Sequence, residues 1–311
     1  MNNMKLRICV TDKCNFNCTY CGSGGEGKLS DGYSLSYEER ISIISKLHEI
    51  GIDSYRITGG EPLLYPELYK LLDDLQNHES LNKITIVTNG SLINDKFVNY
   101  IKKSKIKSVT ISLDALDKET FRKVTRIDSY EKVINNIIRL KQERINVKIN
   151  SVATKQNEKE IYKLIGFAIS YGINLKILDL FETDKNHWKE EYLNLIDIEQ
   201  YLNTISKKKF VQYQDEGFGI PENVFVFEHS NVVTKNSDYG TCYCEYCKEC
   251  KKYPCKTGVV SFVLTADGYL KLCSEIQLDV KELLNNTTSK QIELDIKKIF
   301  EIYNASKRIK I

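Results

Sequence analysis

What most limits the folds open to this chain is a regular alternation over roughly the first 180 of its 311 residues. Short segments of strand character lie at residues 5–10, 53–58, 83–87, 107–113, 146–152 and 173–180, and amphipathic helical segments lie between them at 36–50, 66–75, 95–103, 130–143 and 158–171. Ile41, Ile44, Leu47 and Ile50 recur at helical spacing, as do Leu68, Leu71, Leu72 and Leu75. Ser36 with Glu39 three residues on forms a capping box, and Gly51 marks where that helix stops. Strands that alternate with helices pair in parallel through right-handed crossovers. A closed eight-unit barrel takes about 250 residues, so residues 1–182 are expected to form an open, partial (β/α)6 barrel of the α/β class. In such sheets reactive groups gather at the carboxyl ends of the strands. The turns there carry Cys14, Cys18 and Cys21, then Gly59-Gly60-Glu61-Pro62, Thr88-Asn89-Gly90, Ser112-Leu113-Asp114, Asn150 and Asp179, and all are predicted to point toward one cavity.

The ten cysteines fall in two groups. Cys9, Cys14, Cys18 and Cys21 open the chain, and Cys242, Cys244, Cys247, Cys250, Cys255 and Cys273 lie near its end. The N-terminus has no long apolar stretch after its charges, so it does not read as a secretory signal. No apolar run is long enough to cross a bilayer. A cytoplasmic, reducing setting is therefore expected, where dense thiols bind metal or do chemistry rather than form disulfides. Lys plus Arg number 45 and Asp plus Glu 42, a formal charge of +3, which gives no reason to expect a nucleic-acid or membrane partner. The first group has the spacing C-x3-C-x2-C over Cys14, Cys18 and Cys21. Three thiolates on one tight loop suit three irons of a [4Fe-4S] cluster and leave one iron open, which marks a catalytic site. A zinc knuckle is the competing reading, although structural zinc usually takes four protein ligands. Cys9, inside a strand, reads as a buried core thiol.

Taken with Tyr20 and Gly59-Gly60-Glu61-Pro62, this motif resembles the radical S-adenosylmethionine (SAM) superfamily over residues 6 to about 182. Within it, the residues 10–16, 57–64, 88–90 and 112–117 are most similar to the GTP cyclase of molybdenum-cofactor synthesis. The resemblance implies that SAM chelates the open iron. The reduced cluster then cleaves SAM to methionine and a 5′-deoxyadenosyl radical that abstracts hydrogen from a substrate. It also implies cofactor-binding roles for Tyr20 beside the adenine, for Gly59, Gly60 and Glu61 at the methionyl group, and for Thr88, Ser112 and Asn150 around the carboxylate or ribose. A further implication is an electron donor such as flavodoxin or ferredoxin. From Cys255 the pattern C-x12-G-x4-C runs through the Asp267-Gly268 turn to Cys273 and resembles the auxiliary-cluster region of twitch and SPASM enzymes. Residues 242–311 are thus expected to form a Cys-rich, twitch-like subdomain with one auxiliary [4Fe-4S] cluster and a C-terminal helix. The expected ligands are Cys247, Cys250, Cys255 and Cys273, with Cys242 and Cys244 either spare or ligands in their place, and zinc as the alternative metal. Residues 183–241 read as a connector with one helix near 196–205 and a possible substrate cover.

The stretch 259–263 lacks the arginines that the GTP cyclase carries before its Thr-Ala-Asp-Gly turn, and Lys176 stands where that family has an Arg, so GTP is not expected to be the substrate. Arg7, Arg56, Lys176, Asp179 and Glu182 remain near the cavity, and Lys176, Asp179, Glu182 and Arg56 are the candidate substrate or catalytic residues. Two enzymatic readings follow. One is a radical SAM enzyme acting on a small molecule, with the auxiliary cluster anchoring substrate or passing electrons. The other is a maturase of a ribosomally made peptide. The first strand begins within the first few residues and leaves no room ahead of it for a peptide-recognition domain, which favours the small molecule. A non-catalytic iron–sulfur or zinc regulator would need neither the barrel nor Gly59-Gly60-Glu61-Pro62.

Overall fold

The computed structural model describes residues 4–21, 33–78, 81–181, 188–213, 219–256, 258–259, 261–273, 275–284 and 289–309. The alternation is present as β1 (Met4–Cys9), α1 (Tyr37–Glu49), β2 (Ile52–Thr58), α2 (Leu68–Gln76), β3 (Lys83–Thr88), α3 (Asp95–Lys103), β4 (Ser108–Ser112), α4 (Lys118–Thr125), α5 (Tyr130–Gln142), β5 (Val147–Val152), α6 (Glu158–Ser170) and β6 (Asn174–Leu178). Then come α7 (Trp188–Glu191), α8 (Ile196–Ile205), β7 (Lys208–Gln212), β8 (Glu222–Val226), β9 (Asn231–Lys235), β10 (Thr241–Tyr243), β11 (Phe262–Leu264), β12 (Tyr269–Lys271), β13 (Gln277–Asp279), α9 (Ser289–Ala305) and β14 (Lys307–Ile309). The capping box is formed: the Ser36 hydroxyl accepts from the Glu39 N–H at 3.3 Å, and the Glu39 carboxylate accepts from the Ser36 N–H at 2.8 Å. Gly51 follows with φ +115°, a left-handed turn suited to glycine.

β1 to β6 pair in parallel in chain order, as the alternation requires. The sheet does not stop there. β9 joins parallel to β6 and carries β8 and β7 antiparallel beyond it, while β11 joins parallel to the free side of β1 and carries β12 and β13. One twelve-stranded sheet therefore crosses both boundaries expected at residues 182 and 241. The predicted helix is there as α8, but three strands of the expected connector are a correction. β8 and β9 place Glu222, Asn223, Thr234 and Lys235 in the interior, so the apolar alternation that marks a strand is missing. β7 is an edge strand exposed at every residue. α4 was not foreseen either, because only Phe121 and Val124 give it an apolar face; its start is capped by Asp117, whose carboxylate accepts from the Thr120 N–H at 2.8 Å.

The core explains why the interior of the barrel is polar. Leu6 and Ile8, Tyr55 and Ile57, Ile84 and Ile86, Val109 and Ile111, Val147 and Ile149, and Leu175 and Ile177 alternate along β1 to β6 and are buried against the helices. Fully parallel sheets are usually apolar on both faces. Here the intervening residues are Arg7, Ser54, Arg56, Thr85, Ser108, Thr110, Ser112, Lys148, Asn150 and Lys176. One face builds the core and the other gathers polar and charged side chains.

Candidate active site

β1 delivers the chain to the cysteine loop, and three sets of contacts fix that loop. The buried guanidinium of Arg40 in α1 donates to the Cys9 and Val10 carbonyls, both at 3.1 Å, and pins the end of β1. The loop backbone donates to the last turn of α4, from the Asn17 N–H to Thr125 O and from the Thr19 N–H to Val124 O, while Phe16 packs edge-on to Phe121. The turn after β2 closes the third side: the Gly60 N–H donates to Thr11 O at 2.7 Å and the Glu61 N–H to Lys13 O at 2.8 Å. A β-carbon on Gly59 would lie 2.5 Å from Thr11 O and one on Gly60 2.2 Å from Lys13 O. The two glycines are therefore required by close passage of two backbones, and Gly59 also has φ +145°.

Glu61 is fully buried and its carboxylate is entirely committed. One oxygen accepts from the Leu63 N–H at 3.0 Å and the Thr88 hydroxyl at 2.7 Å, and the other from the Asn89 N–H at 2.7 Å. Burial pushes its carboxyl above the ordinary range, and these three donors oppose the shift. Asn89 in turn donates to Asn15 at 2.8 Å, and Asn15 to Ser91 at 2.9 Å. The sequence segments 59–62 and 88–91 thus brace the cysteine loop through a side-chain lattice. Tyr20 donates to Asp114 at 2.7 Å, and Asp114 also accepts from the Val152 N–H at 2.8 Å. Burial pushes Asp114 up to about 6 against these hydrogen bonds. Asn15, Asn89, Ser91 and Asp114 went unassigned in the sequence because each reads as turn chemistry until its partner is seen. Ser112 and Asn150 are directly paired across β4 and β5 and partly exposed, and no side-chain hydrogen bond joins either to another described residue.

The loop carries three thiols on one tight turn, although no group of three or more His, Cys, Asp or Glu among the described residues is arranged to hold a metal ion. Cys14 is exposed and accepts from the Phe16 N–H at 3.3 Å, with Asn89 Nδ2 at 4.0 Å. Cys18 lies close enough to Cys14, Cys21 and Asp114 to feel their charge, although burial is the main force raising its thiol. The Cys21 N–H donates to Cys18 O at 3.1 Å, the tight turn that brings the second and third cysteines together.

The inward positions of the strands supply the other polar side chains of the site. Arg7 and Arg56 are direct neighbours across β1 and β2. Ser112, Asn150 and Lys176 form one continuous row across β4, β5 and β6, and Lys148 sits one step below. Lys176 is ion-paired with Glu222 of β8, and Gln212 donates to the other Glu222 oxygen at 3.0 Å. Burial lowers Lys176, Glu222 supports its charge, and Arg56 and Arg7 lower it further. Lys235, at the end of β9, is 6% exposed and lies over the Phe181 ring. Burial, together with Lys176 and Arg7, brings its ammonium down to about 7. Asp179, just past β6, is buried; one oxygen accepts from the Ser237 N–H at 2.9 Å and from its hydroxyl, while the other has no hydrogen-bond partner among the described residues. Glu182 lies outside the described residues. Lys148, Lys235 and Glu222 were not singled out in the sequence; the signal was a charged residue at an inward position of a strand.

In the C-terminal group, the predicted hairpin is present: β11 and β12 pair antiparallel around Gly268, whose φ is +84°. Cys242 is buried and accepts from the Gly219 N–H at 3.2 Å. Cys244 and Cys247 approach to 3.6 Å, sulfur to sulfur. Cys247 also feels Cys273, and Cys273 feels Cys255 and Cys244, in each case after a larger effect of burial. α9 closes over this end of the molecule, with Phe300 and Tyr303 against Phe262 at 4.6 and 4.8 Å.

Comparison with known proteins agrees with this geometry. Residues 8–168 match the model of the Radical SAM superfamily. The chain belongs to the radical SAM superfamily: it is an enzyme, and its cofactors are a [4Fe-4S] cluster and SAM. Among curated proteins it is 30% identical over 287 residues to a GTP 3′,8-cyclase of Peptoclostridium acidaminophilum, covering 88% of this chain and 82% of that one. It is likewise 30% identical over 293 residues to a GTP 3′,8-cyclase of Thermodesulfovibrio yellowstonii, covering 91% and 86%. Among solved structures the fold is shared with Streptococcus suis SuiB bound to S-adenosylmethionine, at TM-score 0.64 and 18% identity over 93% of this chain and 65% of SuiB. It is shared also with anSMEcpe with bound AdoMet, at TM-score 0.59 and 19% identity over 93% and 82%. The expectation that GTP is not a substrate is at odds with the curated relatives. Its physical weakness is visible: it weighed residues 259–263 and the Lys at 176, whereas the interior cations also come from β1, β2, β5 and β9. No described helix is long and apolar enough to cross a membrane.

Proposed function

We propose that this radical SAM enzyme abstracts hydrogen from a small phosphate-bearing substrate of the nucleoside triphosphate class, seated on the cations that line the barrel. The observation that carries this reading is the set of cations at inward strand positions, Arg7, Arg56, Lys148, Lys176 and Lys235, with Lys176 ion-paired to Glu222. Arginine forks and lysine point charges together suit a polyphosphate. The names of the curated relatives support the same class.

In this reading Cys14, Cys18 and Cys21 hold the [4Fe-4S] cluster, and the loop's contacts with α4, Gly60 and Asn89 fix where it sits. When bound, cluster and SAM supply the 5′-deoxyadenosyl radical, with electrons from a donor of the flavodoxin or ferredoxin type. Ser112 and Asn150 offer donors and acceptors to SAM at the ends of adjacent strands, while Gly59, Gly60, Glu61 and Thr88 act by holding the loop rather than through spare polar atoms. Tyr20, tied to Asp114, places its ring beside the adenine. Lys176 continues the row of Ser112 and Asn150, so the anion site begins where the SAM site ends. Asp179 presents its unpaired oxygen to a donor on the substrate. The test is anaerobic turnover with SAM and dithionite: 5′-deoxyadenosine should form with GTP and fall sharply in Arg56→Met and Lys148→Met. Undiminished turnover in both variants, or turnover with an uncharged substrate alone, would refute the reading.

A further inference from the structure

The sheet ends on an open strand. β7 pairs with β8 on one side, and no strand of the described residues joins its other side. All five of its residues are exposed. An edge of this kind is a template for pairing with another chain. Apolar side chains gather at it: Tyr201 and Ile205 of α8, then Phe210, Val211 and Tyr213, are each between 39% and 50% exposed. Large apolar groups exposed together mark an interaction surface. The ladder assigns the faces of β7. Gln212 lies opposite Glu222 and donates to it at 3.0 Å, so Lys208, Phe210 and Gln212 share the inner face with Glu222 and Lys235. Lys209 and Val211 share the outer face with Phe225 and Asn223, the side on which Asn223 donates to Glu199 of α8 at 3.0 Å. Lysines often guard an open edge, but these ammonium groups lie back along the sheet. Lys208 is 5.9 Å from the centroid of the Phe210 ring, Lys209 is 5.2 Å from that of Phe225, and Lys207 is paired with Glu228 at 3.5 Å.

We propose that β7 pairs antiparallel with β7 of a second copy of this chain, centred on Phe210, and joins the two sheets into one. A two-fold axis perpendicular to the sheet carries inner face onto inner face. Residues of the inner face must then meet residues of the inner face, and the register centred on Phe210 does this while pairing all five residues of the strand. Phe210 meets itself, Lys208 meets Gln212 and Lys209 meets Val211. No lysine of the strand faces a lysine. Sliding the centre to Lys209 or to Val211 keeps only three residues of the strand paired, and the first slide also sets Lys209 against itself, a like-charge contact that destabilises a ladder. Charge and register thus fit the strand to its own copy. The seam borders the candidate site: Lys235, Glu222 and Gln212 form one inner-face row across β9, β8 and β7, and Glu222 holds the Lys176 ammonium. The pairing sets Lys208 of the partner subunit opposite Gln212, at the end of that row.

The test is sedimentation of the anaerobically purified full chain at micromolar concentration. The wild type should run at twice the chain mass of 35.9 kDa. Phe210→Lys and Phe210→Glu should each run as monomers, because each sets like charges opposite one another across the axis. A single charge on an exposed edge strand is ordinary in folded proteins, so both variants should keep the wild-type circular dichroism spectrum. Mixed in equal amounts, the two should recover the dimer, since Lys then faces Glu; only a position that meets itself behaves in this way. A monomeric wild type would overturn the proposal and hand the edge to a different partner. Dimers in both single variants would overturn it by placing the contact on another surface, and folded variants that stay monomeric when mixed would overturn the register. Sedimentation needs no substrate, so its outcome is independent of the function proposed above.

Discussion

If the barrel cations receive a polyphosphate, binding must take up protons. Lys235 is the group that reports it, because its ammonium titrates at about 7 while buried beside Lys176 and Arg7, with Glu222 and Asp179 as the opposing charges and the Phe181 ring above it. At pH 8 such an amine is about nine-tenths neutral, and at pH 6 about one-tenth. An anion bound within its reach favours the charged form. If it restores an ordinary lysine value of about 10, roughly 0.9 proton enters per anion at pH 8 and roughly 0.1 at pH 6. Affinity should then fall by nearly tenfold per pH unit above 7. The sign is informative, since loss of a proton from the terminal phosphate of GTP, which titrates at about 6, changes affinity only at the acid end of this range. The assay is isothermal calorimetry of GTP binding at pH 8 in HEPES and Tris, whose ionisation enthalpies differ. The heat should differ between buffers by most of one proton's worth in the wild type and by little in Lys235→Met. Equal heats in the two buffers, or an unchanged difference in Lys235→Met, would refute the idea that this amine meets the anion.

Other consequences can be checked separately. Without ligand, Lys235 costs stability: its folded value of about 7 lies below the unfolded 10.5, so the unfolded state holds more protons between them and stability should rise with pH across that window. Lys235→Met should therefore stabilise the apoprotein below pH 7, by at most about 4–5 kcal/mol, read from urea midpoints; an unchanged midpoint would mean the amine is solvated. Gly60→Ala would push a β-carbon onto the Lys13 carbonyl and should abolish iron loading at the N-terminal site while leaving the auxiliary site filled, measured as iron per chain. Glu61→Gln replaces a carboxylate that accepts three hydrogen bonds, with an expected cost of about 2–3 kcal/mol; a melting temperature within a degree of wild type would contradict the bracing role.

The barrel was legible because strand-like segments alternate with amphipathic helical ones, and within the strands buried aliphatics recur at every second residue. The same period also held the cavity. Arg7, Arg56, Lys148 and Lys176 each sit one residue from a buried aliphatic, in positions that a parallel sheet normally fills with Val or Ile. A charged residue at an inward position is a sequence signal, but reading it demands knowing which face the helices cover. β8 and β9 were hidden for the converse reason: their buried residues include Glu222, Thr234 and Lys235, which pair with partners 35 or more residues away in Thr234–Glu199 and 46 away in Lys176–Glu222. The cysteine loop was legible as a ligand set, whereas its supports were not. The resemblance assigns Glu61 and Thr88 to the cofactor, whereas their hydrogen bonds are spent on each other and on Leu63 and Asn89.

One strand sets the relation between the sites. The carboxyl end of β1 leads into the Cys14 loop, its middle carries Arg7 beside Arg56, and its free side pairs with β11, Arg7 opposite Val263. β12 runs back antiparallel, Lys271 opposite Val263, so Cys273 emerges toward the amino end of β1. The Cys14 loop and Cys273 therefore lie toward opposite ends of β1, with Arg7 between them along the strand. At about 3.3 Å per residue and about 4.8 Å per strand, these offsets are fixed by ladder hydrogen bonds and not by a linker. A substrate whose phosphates rest on Arg7 and Arg56 is then held at a set depth relative to the Cys14 loop. A shift of β11 by one residue would turn Phe262 and Leu264 out of the core and Val263 into it, at a cost of several kcal/mol for the two side chains exposed, which is why the spacing should survive substitutions that merely weaken binding.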